Sequence, residues 1–220
     1  MVLNEEKTKC MIFNFNKKKQ FSTRLSLNGK TIETVQEIKL LGTILTNNLK
    51  WDKNTKLLVK RAYSRMEILR QISKFTKSIK DKTHIYKTYI RSVLEQSSVV
   101  WSSSITQKNK KELERVQKVA VRLITNSNKP YEEKLKELQL ETLQERREKL
   151  SLRFSNKCVK NARTKLMFQE NIKKHNMSLR RKEKYSIPLA RTVRFKKSAI
   201  PSMARHMNKE HEENLKMLQS

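Results

Sequence analysis

In "KCMIFNFN", Met11, Phe13 and Phe15 alternate with Cys10, Ile12 and Asn14, the period of a half-buried strand over 9–16. "FSTRLSLNGKTIETV" follows, with Asn28-Gly29 between two alternating runs. That dipeptide predicts a hairpin, because a type I′ turn needs positive φ at both central residues. "EIKLLGTILT" reads as a further strand, and Gly42 inside it marks a bulge or a close backbone approach.

At Trp51 the period changes. Leu58, Ala62, Met66, Leu69 and Ile72 share one face of a helix from Asp52 to about Phe75, with Asp52 as its N-cap. A second helix, roughly Asp81–Val100, carries Ile85, Tyr86, Tyr89, Ile90, Val93 and Leu94. A third, Gln107–Thr125, carries Leu113, Val116, Ala120, Leu123 and Ile124 behind a Thr106 cap. A short helix follows with Pro130 in its first turn. A longer one starts at Thr142, which forms a capping box with Glu145. Beyond Asn161 the pattern weakens: residues 176–200 read as extended or partly disordered, and 201–218 as a terminal helix. The fold class is mainly α, with a small N-terminal antiparallel β segment. Two Gly and three Pro in 220 residues agree with long helices and argue against a Gly-loop nucleotide site.

Charge narrows the function. The chain carries 51 basic and 21 acidic residues, a formal net charge of +30. Such a chain repels itself unless it meets a polyanion, and nucleic acid is the first choice. No apolar run approaches a membrane span or a secretion signal. With Cys10 and Cys158 as its cysteines, the chain suits a reducing compartment, nucleus or cytoplasm, and not secretion. His84, His175, His206 and His211 are too scattered for a metal site. The basic clusters are Lys17-Lys18-Lys19, Lys108/Lys110/Lys111, Arg146-Arg147, Arg180-Arg181-Lys182 and Arg191/Arg194/Lys196/Lys197. Each alone suits a solvated face; together they suit phosphate binding. Trp51 and Trp101 are either base-stacking platforms or packing residues.

"LNEEKTKCMIF", "LNGKTIETVQEIKLLGTILTNNLKW", "IYKTYIRSVLEQSSVVW", "LERVQKVAVRLIT" and "LETLQERREKLSLRFSNK" occur in this order. Together with the closing "IPLARTVRFKKSAIPSMARHMN", they resemble the C-terminal part of jockey-type reverse transcriptases of non-long-terminal-repeat retrotransposons. The resemblance implies a palm end with primer-grip strands over 1–50 and a helical thumb over 51–127. A helical region over 128–175 and a basic, partly disordered tail over 176–220 would follow. It also implies that the catalytic aspartates, which hold Mg2+ in the full polymerase, lie upstream of "LNEEKTK", so that Met1 marks a truncation or a downstream start. No cofactor is then expected in this chain.

Asn4, Lys7 and Thr8 match the family's "LN..KT" element, whose lysine is an accessory general acid. Leu40, Leu41 and Gly42 match the primer-grip strand, with Gly42 admitting the primer end. Helical periodicity and the resemblance together place Lys56, Lys60, Arg70, Lys74, Lys77, Lys87 and Lys118 on faces turned to a duplex backbone, joined by Arg146 and Arg147. The expected partners are RNA, an RNA/DNA duplex, DNA, or the missing palm and fingers, and no membrane. The competing expectations are a host-adopted basic helical RNA/DNA-binding protein and a non-functional product of a decayed element.

Overall fold

A computed structural model describes residues 4, 6–15, 23–171 and 183–217. The protein is mainly helical, with short strands confined to the N-terminal segment. Among the described residues the strands form three separate pairs. β1 (Lys9–Cys10) runs parallel to β4 (Glu33–Thr34). β2 (Ser26–Leu27) and β3 (Lys30–Thr31) form the expected hairpin, with Asn28 and Gly29 at φ 52° and 81°.

The expected single strand around Gly42 is instead a second hairpin, β5 (Glu37–Leu40) with β6 (Thr43–Thr46). Leu41 and Gly42 take φ 47° and 81°, so the chain reverses between them. The strand expected over 9–16 shrinks to β1; residues 11–15 are irregular, and residue 16 lies outside the described residues.

α1 (Asp52–Phe75) has the expected span, but its N-cap is Trp51. Asp52 is the first helical residue, favoured there by the positive helix end. Its carboxylate accepts from Asn109 Nδ2 at 2.8 Å, tying the start of α1 to the helix that begins at Gln107. The second expected helix is broken into parts: α2 (Ile79–Ile85), a π-helical turn (Tyr86–Arg91), α3 (Ser92–Glu95) and α4 (Ser98–Trp101). The cap is Ser78, whose hydroxyl accepts from the Asp81 N–H at 3.2 Å. The π turn advances less per residue than an α turn. Tyr86 and Ile90, four apart, point inward as they would in an α-helix; the wider turn instead carries Tyr89, expected on the apolar face, outward to 52% exposure. α3 stops at its C-cap Gln96, and Ser97 at φ 51° redirects the chain into α4.

α5 (Gln107–Thr125) begins at Thr106 as expected, its hydroxyl accepting from the Asn109 N–H at 3.2 Å. α6 (Tyr131–Glu137) has Pro130 as its N-cap, one position before the first turn expected for it. α7 (Leu143–Lys160) has the capping box of Thr142 and Glu145. Residues 183–192 are largely irregular. Tyr185 bridges Glu170 there, is buried, and exchanges two hydrogen bonds with Asn208. Of the stretch expected to be extended or partly disordered, 176–182 lie outside the described residues, and 183–192 form an irregular segment held in place by these contacts. α8 (Val193–Lys196) and α9 (Ala199–Met217) close the chain.

The main core joins Leu58, Met66, Leu69, Ile90, Leu94, Val116 and Ala120, as periodicity required. It continues past residue 127 through Leu135, Leu138, Leu140 and Leu143. A second cluster unites Cys158, Phe168, Tyr185, Met203, Ala204 and Met207. Trp51 and Trp101 are buried in the main core, so neither offers a ring face to a base. Trp101 Nε1 donates to the Gln96 carbonyl at 2.8 Å.

A polar network threads the apolar core. Gln117 is fully buried and its Oε1 accepts from the Tyr86 hydroxyl. Its Nε2 donates to the Tyr131 hydroxyl and to the Glu141 carbonyl, each at 2.9 Å. The Tyr131 hydroxyl donates to Glu114 Oε1 at 2.5 Å, and Glu114 Oε2 accepts from the Leu143 N–H at 3.1 Å. Burial pushes the Tyr86 phenol well above its ordinary value. Burial, then the Glu114 carboxylate, does the same to Tyr131.

Two outcomes follow from this packing. Leu69→Ala opens a hole in the centre of α1 and should cost about 2–5 kcal/mol, read by denaturant unfolding. The tyrosines give a pH dependence. The folded state holds phenolic protons that the unfolded chain releases near pH 10. Their stabilisation is complete below that value and is lost as pH rises through the higher folded values. Melting temperature should therefore fall above about pH 10, and Tyr131→Phe should make that fall shallower. An unchanged alkaline slope in the variant would count against the network.

Candidate nucleic-acid interface

α5 presents the clearest basic surface. Its apolar residues face the core, and at 100° per residue the opposite side collects Lys108, Lys111, Arg115, Lys118 and Arg122. All five are exposed. None of them has a salt bridge among the described residues, and Lys118 lies 4.9 Å over the Tyr131 ring. The stripe runs about 21 Å along the axis, or about six phosphate steps of one duplex strand.

Lys118 alone among these was expected as a duplex contact, and Lys108 and Lys111 had been grouped with Lys110. Arg115 and Arg122 were missed, although the spacing i, i+3, i+7, i+10, i+14 was present in the sequence. Lys110 lies off the stripe, half-buried beside α7 and α9.

The outer face of α1 is weaker. Lys56, Lys60, Arg70 and Lys74 are exposed there as expected. Glu67 shares that face and binds Arg70 at 3.1 Å. The bond to Arg70 holds the Glu67 carboxyl below its usual range, so it stays charged and offsets the stripe. Lys77 is exposed in the link between α1 and α2, and Lys87 is half-buried in the π turn.

Two expected contacts do not reach a duplex surface. Arg146 is spent on Glu95, at 2.7 Å. Arg147 is 3% exposed and stacks 5.9 Å over Trp101. The heptad position explains this: Arg147 shares a face with Leu143, Ser151 and Cys158, all buried. Adjacency in sequence placed it with Arg146; the helix turns it inward.

At the N-terminus, Asn4, Lys7 and Thr8 form one local turn. The Lys7 N–H donates to Asn4 Oδ1 at 3.1 Å, and the Thr8 hydroxyl donates to the Asn4 carbonyl at 2.7 Å. Lys7 is exposed, while Lys9 pairs with Glu33. Gly42 does mark a close approach, but to Gln96. A Cβ at residue 42 would run into Gln96 Nε2, which donates to the Leu41 carbonyl at 3.2 Å. Lys17-Lys18-Lys19, Arg180-Arg181-Lys182 and His175 lie outside the described residues.

The residues present do not suit a Mg2+ pair, which needs carboxylates fixed around it. The chain's aspartates are Asp52 and Asp81; the first is bound to Asn109 and the second sits in the first turn of α2. Among the described residues no group of three His, Cys, Asp or Glu side chains is placed to hold a metal ion. No helix among them is long and apolar enough to cross a membrane. Compared with protein-family models, with curated proteins and with solved structures, the chain has no match.

The α5 stripe separates binding from folding. Lys111→Gln with Arg115→Gln should leave the melting temperature within about 1 °C, because exposed, unpaired groups contribute little to stability. The same pair should flatten the log–log salt dependence of duplex binding by up to about 1.8, two phosphate contacts' worth. A salt slope equal to that of the unaltered chain would remove α5 from the interface.

Proposed function

We propose that the chain is the C-terminal part of a jockey-type retrotransposon reverse transcriptase that holds primer–template or RNA by its phosphates and does not itself catalyse transfer. The observation that carries the binding half is the unpaired stripe on α5. Five cations on one helix face, none neutralised within the described residues, need a polyanionic partner more than a solvated face does. The family half rests on the ordered sequence elements and on how the chain uses them. The "LN..KT" residues build a single turn that leaves Lys7 exposed, and the primer-grip residues form a hairpin tip with Leu41 89% exposed. In this reading α1, the π turn and α5 form the thumb, and the hairpin tip meets the primer end.

The reading requires backbone recognition without sequence preference. Binding to an RNA/DNA hybrid, an RNA duplex and a DNA duplex of unrelated sequences should differ little and fall steeply with salt. Primer extension with Mg2+ should be absent. Affinity that stays level from low to moderate salt, or templated extension by the purified chain, would each defeat the proposal.

A further inference from the structure

Away from the α5 stripe, a cavity of about 130 Å³ lies between the end of α4, the first turns of α5, α7 and α9. Its volume admits several waters or one small polyatomic ion. Half of its lining is polar, with Arg147, Ser103, Lys110, Ser151, His206 and Glu148 contributing, and it opens to solvent beside the exposed Glu148. Two of these carry buried polar atoms with no hydrogen-bond partner among the described residues, Arg147 Nη1 and Ser103 Oγ. Buried donors left unpaired are uncommon and call for an explanation.

The charge around Arg147 sharpens the point. The acids that act on it are Glu114, Glu95 and Glu148. Glu114 is committed to Tyr131 and to the Leu143 N–H. Glu95 is committed to Arg146, with Arg91 at 3.6 Å. Glu148 accepts from Gln144 at 3.0 Å and is exposed. A guanidinium that is 3% exposed therefore has no carboxylate bound to it. A buried charge in that position is stabilised by a counter-ion that can also take its free N–H.

We propose that this cavity binds one phosphate group, as free orthophosphate or as a terminal phosphate monoester, with Arg147 Nη1 and Ser103 Oγ as donors and Lys110 adding charge. Glu148 sets the choice among anions. A carboxylate at the rim repels a fully ionised oxyanion but accepts from one that keeps a proton near neutral pH. Phosphate can keep that proton and sulfate cannot, so the site prefers phosphate. A diffuse basic surface makes no such distinction.

The site stands apart from duplex binding, and either can fail alone. The test is calorimetric titration of the full chain with inorganic phosphate or sulfate at pH 6.5, at constant ionic strength. Phosphate should saturate one site and bind at least tenfold tighter than sulfate. Ser103→Ala with Lys110→Gln should weaken phosphate at least tenfold. Ser103 Oγ makes no bond whose loss would unfold the chain, and the melting temperature checks this. Lys111→Gln with Arg115→Gln should leave phosphate binding unchanged. Glu148→Gln should erase the preference over sulfate. The His206 ring, held below its ordinary pKa by burial, should titrate higher by NMR once phosphate is bound, because an anion beside it favours the charged form. Equal loss in the cavity and stripe variants means diffuse surface binding and overturns the site. So does the absence of saturation, which leaves a cavity filled with water. A 5′-phosphorylated dinucleotide that competes for the site, where its 5′-hydroxyl counterpart does not, assigns the site to nucleic-acid ends. Competition by orthophosphate alone assigns it to the free ion.

Discussion

The buried amide of Gln117 uses both of its ends. Through it the π turn, α5, α6 and the start of α7 share one set of hydrogen bonds. Apolar packing alone lets helices slide and rotate at small cost, since volume matters more than position. A fully satisfied buried network does not, because each displacement leaves a donor or acceptor unpaired in a low dielectric. The orientation of α5 is therefore set by Gln117 as much as by Leu113 or Val116. Everything the outer face of α5 does depends on that orientation. Rotating the helix by one residue would replace the basic stripe with Lys110 and Glu114 and turn Gln117 out of the core.

Much of the helical architecture was legible because it rests on local rules. Thr106 and Thr142 are caps by side-chain chemistry, and the 3.6 period marks the buried faces of α1 and α5 without reference to neighbours. The parts that escaped are set by distant contacts. The π turn has no marker among Tyr86–Arg91, whose residues suit an α-helix equally well. The second hairpin hides because Leu41-Gly42 lacks the usual turn pairing of Asn or Asp with Gly. A leucine at positive φ is held there by its surroundings, including Gln96, 55 residues away in sequence.

The candidate site divides along the same line. Net charge and basic spacing pointed to polyanions, and Lys118 was found by helical periodicity. Arg115 and Arg122 needed only the same period carried one turn to either side of Lys118. Arg147 was not separable from Arg146 by clustering, since neighbours on a helix point 100° apart. Where one is spent on Glu95, the other stacks on the ring of buried Trp101. Counting bases in a window measures charge supply; the helix decides which of them reach solvent.

Gln96 joins three things that sequence distance keeps apart. It is the residue where α3 stops, its carbonyl receives the indole N–H of Trp101, and its side-chain amide holds the turn of the β5–β6 hairpin against the helices. Gly42 is the socket that lets this amide in. The hairpin is thus a lever whose angle is read from the helix break, and the absence of one methyl group sets its pivot. A shift of Trp101 in the core would move the Gln96 backbone and, through the same residue, swing the exposed Leu41 tip. The interior of the bundle and the tip of the β5–β6 hairpin are, mechanically, one part.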